Sequence, residues 1–112
     1  MYRNIDLTLP ADTNAHNLWD LIVAAGYCDS LGNVLVTAVK NNEILPDRVS
    51  FLTATVTAGS VSFQDRHASG GTTYTAGGSQ TWKTSRNSIS LKDRFFAGAA
   101  GSETFTIDLE AA

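Results

Sequence analysis

Apolar and polar residues alternate with period two over several short stretches of this chain, and each stretch predicts a strand with one face on a core. Ile5, Leu7 and Leu9 alternate with Asn4, Asp6 and Thr8 until Pro10 breaks the run. Between Val49 and Thr57, Leu52, Ala54 and Val56 share one face, while Phe51, Thr53, Thr55 and Thr57 share the other, a polar face open to water or to a partner. Val61-Ser62-Phe63-Gln64 follows directly after the turn Ala58-Gly59-Ser60, a spacing that predicts a hairpin between the two segments. Ser88-Ile89-Ser90-Leu91-Lys92 and Phe105-Thr106-Ile107-Asp108-Leu109 repeat the alternation. Val34 to Val39 is apolar nearly throughout, the form of a strand covered on both sides.

One stretch has helical spacing. Leu18, Leu21, Ile22 and Ala25 fall at i, i+3, i+4 and i+7, predicting a helix of about three turns that Gly26 stops and that Asp12 or Thr13 caps. Turns are expected at Asn41 to Asp47, at the glycine-rich Gly70 to Ser79, and at Ala97 to Gly101. The predicted architecture is mainly β: a single antiparallel β-sandwich over residues 1–112, jelly-roll-like or immunoglobulin-like, with one short α-helix near the N-terminus.

Composition narrows the function. With 112 residues, 43% hydrophobic and 17% charged, the chain suits one folded domain with one core. A net charge of -3 and scattered basic residues argue against a nucleic-acid partner, which needs clustered Lys and Arg to displace counterions from phosphate. The longest strongly apolar run, Leu21 to Ala25, is far short of the roughly 20 residues that span a bilayer, so no membrane role is expected. Cys28 is alone and forms no intrachain disulfide, and the first residues lack the apolar core of a secretory signal. Synthesis and folding in the cytoplasm are the expectation.

Candidate chemistry is sparse. Asp65 and His67 are two apart but lack a third ligand, and His16 reads as a surface or capping histidine near the helix start. The 11 carboxylates are spread evenly, as solvated surface charges are, and no nucleophile motif accompanies either histidine. Gly70 to Gly78 lacks the Gly-Lys-Ser/Thr ending of a phosphate loop. The reading is therefore not an enzyme, with no cofactor and no metal. The aromatics are more informative. Trp19 borders the helix stripe and reads as core, whereas Phe95 and Phe96, adjacent on a strand, face opposite sides, so one of them is left for a partner surface. Trp82, Phe95, Phe96, Thr53 and Thr55 are accordingly the candidate interface residues, and self-association into a homo-oligomer is expected. A rival reading is a carbohydrate-binding sandwich that stacks sugars on Trp82 and Tyr74.

The order of a Val/Phe-rich pair of segments (Val49 to Gln64), the run Thr-Tyr-Thr-Ala-Gly-Gly-Ser-Gln-Thr-Trp, the segment Asn-Ser-Ile-Ser-Leu-Lys-Asp and a final Glu-Thr-Phe-Thr-Ile-Asp-Leu resembles the small virion structural proteins of tailed bacteriophages. The resemblance covers Val49 to Leu109 and is one of order and style. It implies a capsid-decoration or head-associated protein, made in the host cytoplasm and carried in the virion. Its implied partners are copies of itself and the major capsid protein or another virion protein.

Overall fold

Ile5, Leu7 and Leu9 lie at 0–2% exposure in the structure, a computed structural model that describes residues 2–34, 45–65, 71–86 and 88–110. In chain order the elements are β1 (Tyr2–Thr8), β2 (His16–Asn17), α1 (Leu18–Ala24), β3 (Arg48–Val49), β4 (Phe51–Ala58), β5 (Ser60–Asp65), β6 (Thr72–Thr75), β7 (Ser79–Lys83), β8 (Ile89–Ser90), a single 3-10 turn (Leu91–Asp93), β9 (Arg94–Gly98) and β10 (Thr104–Glu110). The strand predicted beyond Val34, and most of the loop predicted from Asn41, lie outside the described residues.

Two four-stranded antiparallel sheets form the sandwich, in the orders β1-β10-β4-β7 and β2-β9-β5-β6, and β3 pairs with β8 apart from them. The consecutive pairs β1/β2, β9/β10, β4/β5 and β6/β7 hold matching places in the two orders, so the chain changes sheet within every pair. That is the strand order of a jelly roll, and the immunoglobulin-like alternative falls away.

The same order overturns the predicted hairpin. β4 and β5 do not pair: β4 lies between β10 and β7, and β5 between β9 and β6. A hairpin would put Leu52, Ala54 and Val56 beside Val61 and Phe63 on one sheet face and leave that face to find a cover. Turning at Gly59 (φ +79) instead sets the two apolar sets in opposite sheets, where each covers the other. The Ser88–Lys92 segment also differs from its predicted form. Only Ile89 and Ser90 are strand, and Leu91 enters the core from the 3-10 turn.

The helix is shorter than predicted and starts later. It has seven residues, about two turns. Its cap is Asn17, whose side-chain oxygen accepts the Asp20 N–H at 3.3 Å. Asp12 serves the preceding turn, accepting the Asn14 N–H at 3.0 Å and pairing with the His16 ring at 2.7 Å. The chain must cross between sheets from Ala11 to Ala15, and only then is it free to wind. Leu18, Trp19, Leu21 and Ile22 face inward, whereas Ala25, expected on the stripe, is exposed. The helix packs on β1, β2, β9 and the 3-10 turn, closing the flank where β1 and β2 end the two sheets. The opposite flank is formed by β6 and β7.

The buried hydrophobics form one cluster. Its aromatic centre joins both sheets: Phe96 lies 4.8 Å from Phe63 and 4.9 Å from Phe105 between ring centroids, and Phe63 lies 5.1 Å from Tyr74. At one end of the sandwich, the Gly59 turn and the turn between β9 and β10 close around Glu103. Its side chain is 4% exposed, against the expectation that the carboxylates are solvated.

Candidate functional site

The strand alternation that buries Leu52, Ala54 and Val56 turns a threonine-rich face of the first sheet outward. Strand register arranges it in rows. One runs Asp6, Thr106, Thr55, Ser79 across β1, β10, β4 and β7, and the next holds Asp108, Thr53 and Thr81. Neighbouring hydroxyls bind each other across the strands: Thr53 to Thr81 at 2.9 Å and Thr57 to Thr104 at 2.7 Å, while Thr106 donates to Asp6 Oδ1 at 2.7 Å. These cross-strand bonds hold the side chains in place, so the face is preorganised and loses little side-chain entropy when covered. Among the described residues no helix or sheet is layered over its β10-β4-β7 part.

Of the predicted interface residues, Thr53 and Thr55 stand on this face, both half-buried by their neighbours. Phe96 does not belong to any surface. It is 0% exposed at the centre of the aromatic cluster, so its assignment to an interface is corrected. Phe95, its neighbour on β9, points the other way and is half-buried on the outer face of the second sheet. Trp82 faces into the sandwich from β7, 6.0 Å from Phe63 and 6.3 Å from Phe96, with the Arg94 guanidinium 5.9 Å from its ring centroid. Tyr74 packs on Phe63 in the same way. The five residues therefore occupy three separate places. The rings required for a sugar-stacking platform are engaged with the core and with Arg94, and this weighs against the carbohydrate reading.

Three carboxylates organise turns: Glu103 and Asp29, which read as plain surface charge, and Asp12, which read as a helix cap. Glu103 Oε2 accepts the Ala100 N–H at 2.7 Å, and the amides of the turn hold its pKa below the ordinary glutamate value, with the Ala100 bond the largest cause. Its Oε1 is buried without a hydrogen-bond partner. Asp29 accepts from Leu31 N, Asn33 N and the Asn33 side chain, each at 2.9 Å, and its pKa is lowered chiefly by Asn33. Asp12 is lowered chiefly by its bond to His16. The local signal for Asp12 and Asp29 was a carboxylate two residues before the amide it binds, the Asx-turn pattern. Nothing local marks Glu103.

The Cys28 thiol is buried, and burial together with Asp29 pushes its pKa up, so it stays protonated and unreactive. Among the described residues no three His, Cys, Asp or Glu side chains come together to hold a metal. Arg66 and His67 lie outside the described residues, as does Gly70. A shallow cleft of about 260 Å³ lies beside Trp19, Leu31, Pro46 and Lys92. The Lys92 ammonium there is 5.5 Å from the Trp19 ring centroid and 3.4 Å from Asp47. It is thus engaged by a ring and a carboxylate. No described helix is long and apolar enough to cross a membrane.

Comparison with known proteins finds no matching family, no matching curated protein and no matching solved structure.

Proposed function

We propose that this chain is a non-enzymatic structural protein of a virus particle, a capsid-decoration or head-associated protein of a tailed bacteriophage. It is made in the host cytoplasm and carried in the virion, where it binds copies of itself and the major capsid protein or another virion protein. The observation that carries the reading is the outer face of the first sheet, where Thr106 and Thr55 share one cross-strand row, Thr53 and Thr81 share the next, and hydroxyl bonds tie Thr53 to Thr81, Thr57 to Thr104 and Thr106 to Asp6. A preordered, β-branched, polar face of this kind suits attachment to a protein lattice: its hydroxyls offer hydrogen bonds at low ordering cost. The jelly-roll order adds an analogy at the level of fold, since viral capsid domains and lectins both use it.

The test is sedimentation of a native phage lysate through a density gradient with this protein followed by mass spectrometry. The proposal expects it to travel with particles that contain a major capsid protein. It also expects Thr55→Arg, a charge at the middle of the face, to lower its amount on the particles while the isolated variant stays folded. Recovery only at the top of the gradient, as a small soluble species, overturns the proposal.

A further inference from the structure

The two ends of the first sheet are treated differently. At the β1 end the register slips between Tyr2 and Ile5, the Asp6 N–H donates to the Tyr27 hydroxyl at 3.0 Å, and α1 packs alongside. These are devices that keep an edge from pairing with another chain. Among the described residues, none of these three stands at the β7 end. β7 pairs with β4 in unbroken register from Ser79 to Lys83 and contains no proline, and among the described residues no strand pairs with its other side.

Hydrogen bonds at the two ends of the β4/β7 ladder set its phase. The Val56 N–H donates to Gly78 O at 2.9 Å, and the Thr84 N–H donates to Ser50 O at 2.9 Å. Antiparallel ladders alternate, so residues 78, 80, 82 and 84 direct their backbone groups to β4. Ser79, Thr81 and Lys83 then direct theirs away from it, toward the open edge. Their side chains are exposed on the outer sheet face.

We propose that this edge is a homotypic pairing site, at which β7 of a second copy adds antiparallel about a two-fold axis through Thr81. The order of residues fits its own reverse. Ser79 meets Lys83 of the second copy, Gln80 meets Trp82, and Thr81 meets Thr81. Lys83 is the only charge on the strand. In the antiparallel arrangement the two lysines stand about 13 Å apart along the strands, beyond the roughly 8 Å over which salt screens charge. A parallel, in-register pairing would set them side by side. Charge therefore selects the antiparallel register, and the two-fold contact closes on itself, joining two four-stranded sheets into one with no open β7 edge. The inference deepens the proposed assembly role by naming one of its contacts.

Thr81 provides the test. On the axis its backbone exchanges both hydrogen bonds with its counterpart, which places the two Cα atoms about 5.5 Å apart, inside the range a disulfide accepts. Under mild oxidation the Thr81→Cys protein is expected to form a covalent dimer on a non-reducing gel. Thr57→Cys, exposed on β4 but off the axis, is expected to form no covalent dimer on the same gel, and the native Cys28 is buried. Thr81→Pro removes an N–H that points away from β4 and so spares the ladder within the chain. Sedimentation velocity is expected to show a dimer for the native protein and a monomer for Thr81→Pro with an unchanged circular dichroism spectrum. If that variant loses its fold, Thr81→Lys asks the same question by setting like charges face to face across the axis. A native protein that is monomeric at high concentration, or equal crosslinking of both cysteine variants, overturns the inference. Protein that is recovered on particles yet never dimerises through residue 81 removes this inference and leaves the proposed function standing.

Discussion

Glu103 fills the space that a side chain on Gly98 would need. A Cβ on Gly98 would overlap Oε1 of Glu103, and the carboxylate is held in place by the Ala100 N–H at 2.7 Å. Gly98 has an ordinary backbone conformation, so the conflict is one of volume alone. Gly98→Ala is expected to destabilise the fold by about 1–3 kcal/mol, the usual cost of overpacking. In a Glu103→Ala background that cost should shrink, because the opposing atoms are gone. Urea unfolding of the four proteins in this cycle checks both statements; equal costs of Gly98→Ala in the two backgrounds contradict the packing account.

Acid should loosen the turns that Glu103, Asp12 and Asp29 hold. The folded state lowers the pKa of all three. A depressed carboxylate pKa contributes stability that is fully present above the unfolded value, about 3.9 for Asp and 4.3 for Glu, and is lost as pH falls through the folded value. Stability is therefore expected to hold steady between neutral pH and about 5 and to fall below about 4. Glu103→Gln keeps the shape and removes one titrating group, so its urea midpoint should fall less steeply between pH 5 and pH 3 than that of the native protein. Parallel profiles would mean that Glu103 titrates alike in the folded and unfolded states.

Phe95 and Phe96 offer a matched pair for dissecting the core. Phe96 touches Phe63, Trp82 and Phe105, whereas Phe95 lies half-buried on the opposite side of β9. Phe96→Ala is expected to cost about 3–5 kcal/mol, and Phe95→Ala distinctly less. Thermal or urea unfolding decides, and a reversed order would place the wrong ring inside.

Asn17 performs two tasks at once. Its oxygen caps α1 through Asp20, and its Nδ2 donates to the Lys92 carbonyl, tying the helix start to the 3-10 turn. Asn17→Ala should destabilise by about 1–2 kcal/mol. Asn17→Asp retains the cap and loses the donor, so it should fall between the native protein and the alanine variant. An aspartate variant as unstable as the alanine one would assign the whole effect to the Lys92 contact.

Much of the local structure was legible in the sequence. The alternation of Ile5, Leu7 and Leu9, of Leu52, Ala54 and Val56, and of Phe105, Ile107 and Leu109 marks three inward faces, and all nine side chains are buried. Leu18, Leu21 and Ile22 mark the helix stripe. The candidate site was legible in part. The threonine face of β4 follows from the same alternation, but its partners Thr81, Thr104 and Thr106 come from distant stretches that local pattern does not join. The predicted cap at Asp12 or Thr13 failed because those residues turn the chain toward the other sheet before the helix begins.

The sequence by itself determined which side of each strand is apolar, where the helix lies and how many charges the molecule carries. Those properties follow from the pleat and from the 3.6-residue turn, both local. Only the tertiary structure decided that β4 pairs with β10 and β7 rather than with β5, that Asp6 meets Thr106 across 100 residues, that Phe96 rather than Phe95 enters the core, and that Glu103 is buried. Period two specifies a face and no partner. The partner is chosen by what covers both apolar faces at once and satisfies the backbone of the whole chain, a condition no single segment contains.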